Sequence, residues 1–564
     1  MEPVQTTHYL PSTAGKGAED RGSQQKLRLG YLSSDFRNHA VAHQIVGVFK
    51  RHDRRRFTVF AYSSGPDDGS SYRQRIEHDV DHFVDITALN DHQAAQRIRA
   101  DGIDILIDLN GHTAGARLPI LAYRPATVQL VHGLSTGSDA IDYILADRFF
   151  IPPECQHYYY EKIVYLPNSV MATDCEQPIA AATPDRKGHG LPEQGFVFCC
   201  FSSHYKIDPH LFAVWMALLK ELPNSVLWLA DGDGRDHLQR AATEHGVAPQ
   251  RLVFAPRLAD KAAHLARHRW ADLFLDTLRS NAQTTACDAL WAGVPVLTCP
   301  GNSSFTARVS VSLLHAIGLQ DDGLIVASLE EYQQRAVELA THSEELARIR
   351  QKLWANRLTQ PLFDTDRFVR DLETVLEQVW WNCVAAHYNL GVLMQQQQRH
   401  DEAIGCYRQA LKLKPDHADG WYNLGLLLQQ QGHLDEAVRH YQQALRWQPN
   451  YLPAYLNLGG IMGQQQRHDE AASYYQQAIE IQPDYADAWY NLGVLMAQTG
   501  RYNEAIHCHR QVVASRPDYA VAAAEMVRLQ QLVGDWHSFD HLRELVIEPA
   551  LAWRPESQTP PPEP

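Results

Sequence analysis

One 34-residue period governs the last third of the chain: Asn-Leu-Gly recurs at Asn389, Asn423, Asn457 and Asn491, and a proline closes each copy at Pro415, Pro449, Pro483 and Pro517. Inside the copies, small and aromatic residues keep fixed offsets, Ala403, Tyr407 and Ala410 in the first and Ala437, Tyr441 and Ala444 in the second. These are the positions at which two helices of a hairpin touch. A single hairpin cannot bury its apolar face, so the copies must stack on one another. The fourth copy carries His509 and Val512 at the aromatic and alanine positions, the drift expected of a terminal unit.

This pattern is identified as four tetratricopeptide repeats over residues 384–517, with capping helices expected over 518–554. What precedes them is built differently. Short β-rich runs at 27–33, 57–62, 82–86, 103–108 and 128–131 alternate with helix-length segments, pause near 171–190, and resume at 196–201, 226–229, 252–254, 273–275 and 294–297. Such alternation predicts parallel, doubly wound sheets in two halves, an N-terminal one over 26–178 and a C-terminal one with closing helices over 190–381. Ligands of such sheets sit beyond the carboxyl ends of the strands, so the site belongs in the cleft between the halves. Residues 1–25 lack periodicity and 555–564 are proline-rich, and both are expected to be disordered. Trp380 and Trp381, where the last helix of the α/β region meets the first repeat, predict a docked junction rather than a tether.

Composition narrows the function. A formal charge of -15 with scattered Lys and Arg offers no face for a phosphate backbone, so no nucleic-acid partner is expected. No apolar run approaches a membrane span and the start has no apolar core of the secretory kind, which predicts a cytoplasmic protein with no membrane partner. The nine cysteines lack paired spacing, and several lie in apolar runs, as reduced core residues would.

Four loops carry chemistry. Asn281-Ala-Gln-Thr-Thr-Ala-Cys-Asp follows a strand and opens a helix, where unpaired N–H groups, the dipole and the hydroxyls of Thr284 and Thr285 suit a diphosphate without a metal. Asp288, one turn on, suits a ribose hydroxyl; an ordinary capped helix would carry the same residues. Lys206 follows another strand, where its cation can reach the same diphosphate or simply face solvent. His39 and His112 follow strands of the first half, and either imidazole suits a base near neutral pH. Asp231-Gly-Asp-Gly lacks the glutamate that closes a calcium loop and reads as a turn, so no metal site is expected.

Together, 27–39 with its Ser-Ser-Asp-Phe-Arg-Asn-His ending, Tyr205-Lys-Ile-Asp-Pro, Asn224-Ser-Val-Leu-Trp-Leu, His264 with Arg267, Thr284-Thr285 with Asp288, and Ala289-Leu-Trp-Ala-Gly-Val-Pro resemble the O-linked N-acetylglucosamine transferases and their bacterial relatives. The resemblance covers roughly 26–381, and the repeats are similar as well. It implies an α/β GT-B fold, two Rossmann-like halves clasping a UDP-sugar, followed by an all-α tetratricopeptide superhelix. The implied reaction is inverting, metal-independent transfer of N-acetylglucosamine to Ser or Thr of proteins bound along the repeat groove, with the UDP-sugar as donor substrate and no cofactor. By the same resemblance Lys206 neutralises the departing diphosphate, Thr284 and Thr285 hold it beside Tyr205 and Gln283, and Asp288 takes the ribose. Lys261, His264 and Arg267 line the uridine side, the backbone at Ala259 reads the uracil, His39 lies near the acceptor hydroxyl with His112 beside it, and Asn389, Asn423, Asn457 and Asn491 face the acceptor.

Three departures from the family pattern bear on the sugar and on turnover. Gln283 stands where a histidine usually precedes the paired threonines, Ser203 where an amide usually precedes the lysine, and Gly133-Leu-Ser-Thr-Gly where the family has Gly-Tyr-Pro-Gly-Thr. They leave two alternatives: glucose transfer, possibly to asparagine, or a repeat scaffold that binds UDP without turnover. The repeats also follow the catalytic region rather than precede it, as a circular permutation or a truncated fusion would arrange them.

Overall fold

The computed structural model describes residues 26–300 and 305–535; the expected disordered ends, and the capping helices beyond 535, lie outside the described residues. The chain divides between Trp380 and Trp381 into two compact units.

The first unit holds two parallel sheets. Strands β1 (Leu27–Ser33), β2 (Phe57–Ser63), β3 (His82–Asp85), β4 (Ile105–Asp108), β5 (Val128–His132), β6 (Tyr143–Ala146) and β7 (Lys162–Tyr165) run in the spatial order β3-β2-β1-β4-β5-β6-β7. The second sheet, β8 (Phe196–Cys200), β9 (Ser225–Ala230), β10 (Leu252–Ala255), β11 (Leu273–Leu275) and β12 (Val296–Leu297), has the order β10-β9-β8-β11-β12. Strands buried on both faces read as near-continuous apolar runs, and the centres of β1, β4, β8 and β9 do, with Leu29, Ile105, Val197 and Trp228 wholly covered. The two-halved α/β region followed by helical repeats is the architecture the sequence predicts. The first sheet has two strands more than the alternation suggested. β6 and β7 are four residues each and no long helix precedes either, so the strand–helix rhythm that reveals the others is missing.

The order within each sheet reverses once, between β1 and β4 and between β8 and β11, pairs that are neighbours in space but not in sequence. At such a point two loops diverge to opposite faces and leave a crevice at the strands' carboxyl ends. Those four loops are the four singled out from sequence.

In the second unit helical hairpins stack from His400–Leu413 to Ala520–Val533. The period has a steric cause. A Cβ placed on Gly391, Gly425 or Gly459 would come within 2.8, 2.9 or 2.5 Å of the ring of Tyr407, Tyr441 or Tyr475, so the first helix needs glycine where the second brings its aromatic ring. Gly493 meets His509 in the same way. The indoles of Trp421 and Trp489 and the phenol of Tyr455, one period apart, donate to the carbonyls of Pro415, Pro483 and Pro449 and lock each turn to the helix after it. No disulfide joins the cysteines among the described residues.

Candidate active site

The second half supplies a positive, polar pocket. Beyond β11, Asp276 is wholly buried and its carboxylate gathers Thr277 N, Ala282 N and Thr298 Oγ1 at 2.7–2.8 Å, which shapes the loop into the helix Thr284–Trp291. Burial pushes its pKa up to about 6. The helix begins at Thr284 after Gln283, which makes no side-chain cap, so the first N–H groups of the helix stay open. From the loop after β8, Lys206 Nζ donates to Asn281 O at 2.8 Å and thereby stands beside that helix start. Burial lowers the Lys206 pKa, with Asp276 acting in opposition. Ser202 Oγ lies 3.5 Å from Thr285 Oγ1, joining the same two loops. Tyr205, by contrast, is 82% exposed and stands outside this packed group.

One turn into the helix, Asp288 is buried and already paired. Lys261 Nζ donates to its two oxygens at 2.7 and 2.6 Å, His264 Nε2 lies 3.3 Å away, and Arg267 donates to His264 Nδ1 at 2.5 Å. Burial alone would raise the Asp288 pKa, but Lys261 and His264 hold the carboxyl far below its usual range. Arg267 is turned inward: its guanidinium lies over Phe201, donates to Pro256 O at 2.8 Å, and is pulled down to about 10 by burial. It therefore reaches the pocket through His264 rather than by itself. Ala259 is exposed just before Asp260, which caps the helix Lys261–Arg267.

The first half supplies imidazoles. Asn110, beyond β4, takes the Ser34 N–H on its Oδ1 and donates from Nδ2 to Asp35 Oδ2, both at 2.8 Å, so the loops after β1 and β4 form one unit. His39 caps the helix Ala40–Phe49, its Nδ1 3.3 Å from Val41 N and 3.5 Å from Asp35 Oδ2. The two contacts ask for opposite tautomers, and neither is tight. Burial lowers the His39 pKa, with Asp35 opposing. His112 is exposed, with Nε2 2.9 Å from Thr136 O.

Two residues that sequence reasoning passed over stand where the halves meet. Gln44 Nε2 donates to Thr284 Oγ1 at 3.1 Å, across the crevice. His43, held by Asn38 Oδ1 at 2.8 Å and packed on Tyr72, is pushed down to about 4 by burial, with the Lys261 charge adding to that and Asp288 opposing. His43 was findable: it lies one helical turn after His39, on the same face. Of the predicted residues, Lys206, Gln283, Thr284, Thr285, Asp288, Lys261 and His264 come together on the second half, while His39 and His112 stand on the first. The four asparagines lie in the second unit, where Asn389 is exposed and the other three are half-buried.

Comparison with known proteins identifies the family. The profile of glycosyl transferase family 41 matches residues 1–183 and 168–372, and tetratricopeptide-repeat profiles match 395–432, 416–484 and 450–518. A probable UDP-N-acetylglucosamine–peptide N-acetylglucosaminyltransferase of Arabidopsis thaliana is 41% identical over 377 residues, covering 65% of this chain and 38% of its own length. A UDP-N-acetylglucosamine–peptide N-acetylglucosaminyltransferase of Caenorhabditis elegans is 28% identical over 473 residues, covering 63% and 41%. The chain thus spans about two-fifths of the length of these curated relatives. Among solved structures, a mutant O-GlcNAc transferase of Thermobaculum terrenum superposes with a TM-score of 0.58 at 32% identity, covering 64% of this chain and 68% of that one. With the family profile matching well over half of its length, this chain belongs to glycosyl transferase family 41.

Proposed function

We propose that this chain moves N-acetylglucosamine from UDP-N-acetylglucosamine to serine and threonine hydroxyls of proteins, with inversion at the anomeric carbon and without a metal. The observation that carries the reading is the placing of Lys206 beside the open start of the helix Thr284–Trp291, at the point where the second sheet reverses its strand order. A departing diphosphate needs positive charge fixed before the bond breaks, and an ammonium with a helix N-terminus supplies it in a partly dry site. Asp288, held ionised by Lys261 and His264, accepts from a ribose hydroxyl, and the same pair fixes its orientation. His39, whose burial keeps the imidazole neutral at physiological pH, accepts the acceptor proton or orders the group that does. The repeats offer the protein acceptor a surface, with Asn389, Asn423, Asn457 and Asn491 supplying carboxamides to its backbone.

The reduced, partly buried cysteines fit a reaction run in the cytoplasm. The test incubates the full chain with acceptor proteins and a panel of UDP-sugars, followed by mass spectrometry of the products. Transfer of N-acetylglucosamine in the β configuration, undiminished by EDTA, is the expected outcome. Transfer of glucose instead, an α-linked product, or strict dependence on a divalent ion each overturns the corresponding part of the reading.

A further inference from the structure

Glu161 lies just before β7, outside the four crevice loops, and is wholly buried. The hydrogen bonds its carboxylate takes from other residues come from one loop. Its Oε2 accepts from Ser135 Oγ at 2.9 Å, and its Oε1 accepts from Thr136 N at 2.7, Thr136 Oγ1 at 2.8 and Gly137 N at 3.2 Å. Burial alone would raise the carboxyl's pKa; the backbone and hydroxyl donors outweigh it and keep the group below its ordinary value. The backbone of Glu161 is fixed as well, its carbonyl accepting from Gln156 Nε2 at 3.0 Å.

The loop so held runs on from β5 between two glycines in the left-handed region, Gly133 at φ 76° and Gly137 at φ 64°, where side chains are strained. Leu134 is its one apolar side chain, so little hydrophobic packing defines its shape. Its far side touches His112, whose Nε2 lies 2.9 Å from Thr136 O. A carbonyl can only accept. The neutral ring must therefore carry its proton on Nε2 and its lone pair on Nδ1.

We propose that Glu161 is a positioning residue for His112, acting through Thr136: the buried carboxylate sets the loop, and the loop's carbonyl fixes the ring orientation and tautomer of His112. It follows that any proton or sugar hydroxyl that His112 receives is received at Nδ1. The inference rests on the reading of the crevice as a transferase site, but its first readout does not.

The experiment records the histidine ring nitrogens by NMR in the full chain labelled with 15N-histidine, for wild type, Glu161→Gln, Glu161→Asp and Ser135→Ala, with His112 assigned by His112→Phe. Wild type should show a fixed Nε2–H tautomer. Glu161→Gln, which has one accepting oxygen for four donors, should mix the tautomers and lower transfer kcat about tenfold, with UDP affinity unchanged. Glu161→Asp keeps both accepting oxygens and should recover the signature and part of kcat; Ser135→Ala, which removes one donor, should move both slightly. An unchanged His112 signature in every folded Glu161 variant overturns the proposal, as does an equal loss of UDP binding and turnover. If wild type transfers no N-acetylglucosamine while the tautomer still follows Glu161, the transferase reading fails and the positioning role stands.

Discussion

The two sides of the crevice are built to different tolerances. On the second half the charged groups are locked to one another: Lys261 on Asp288 at 2.6 Å, Asp288 against His264 at 3.3 Å, His264 to Arg267 at 2.5 Å. On the first half His39 has only a 3.3 Å contact to a backbone N–H and a 3.5 Å approach to Asp35. A nucleoside diphosphate has one shape and one charge pattern, and a rigid cradle loses nothing by fitting it alone. On the proposed reading, a hydroxyl presented by many proteins arrives from less uniform neighbours, and the loosely held ring of His39 can follow it. On this contrast, removing donor-side groups should cost binding and chemistry together, while acceptor-side groups should cost chemistry alone.

The largest expected effect is at Lys206. Lys206→Ala removes a cation fixed beside the proposed diphosphate position, and turnover should fall by about 10³, as when one preorganised charge partner is taken from a developing anion. The melting temperature should hardly move, because the half-buried ammonium has a single backbone carbonyl as its partner. Full activity in this variant would dismantle the donor side as drawn.

His39→Ala is next. Turnover should fall by about 10², the lower end for a lost acid–base group, with the UDP dissociation constant unchanged in calorimetry. The pH profile sharpens the assignment. Burial disfavours the imidazolium, so the neutral base persists to lower pH than in a solvent histidine of pKa 6.5. Activity that depends on it should be flat through neutrality and fall on acidification only below that ordinary value, and the limb should vanish in the alanine variant. Equal loss of UDP affinity and turnover would move His39 to the donor side.

Asp288→Asn breaks the locked group from its centre. UDP affinity should drop about tenfold, the low end for losing a charged hydrogen-bond partner. Lys261 and His264 would be left facing a neutral amide, and unfolding free energy should fall by about 3 kcal/mol, the low end for breaking a buried pair. Denaturant melts and calorimetry read the two losses separately. A variant that keeps its stability would show that the lock is not tight.

Much of this was legible in the residue order, and what was not shares a cause. The repeats announce themselves because each copy solves one packing problem, glycine under an aromatic ring, and the solution recurs at a fixed offset. The two sheets show because their strands alternate with helices, and β6 and β7 escaped because no helix marks them. Lys206, Thr284 and Asp288 follow strands in recognisable strings. Gln44, Glu161 and the inward turn of Arg267 were hidden because each is defined by a partner far along the chain: Gln44 by Thr284, Glu161 by the loop after β5, Arg267 by Phe201. Pairings of that kind leave no local periodicity.

The smallest expected effects lie in the asparagine row, which the structure divides. Asn423 Nδ2 donates to Tyr388 OH at 2.9 Å, and Asn457 Nδ2 to Tyr422 OH at 3.3 and Tyr441 OH at 3.2 Å, so these two tie a helix to the repeat before it. Leu456 occupies the period position of Tyr388 and Tyr422 in the third copy, so Asn491 lacks that phenol, and although Tyr475 stands where Tyr441 does, neither Asn491 nor Asn389, which begins the row, has a side-chain hydrogen bond among the described residues. The pairs Asn423→Ala with Asn457→Ala and Asn389→Ala with Asn491→Ala therefore separate scaffold from contact. The first should lower stability by about 1 kcal/mol per tie lost, while the second should leave the melt unchanged. Both should weaken transfer to long protein acceptors by a few-fold and spare hydrolysis of the UDP-sugar, since a carboxamide offers a backbone one donor and one acceptor whatever its side chains. Should the untied pair leave long-acceptor transfer untouched, the row holds helices together and the acceptor is gripped elsewhere.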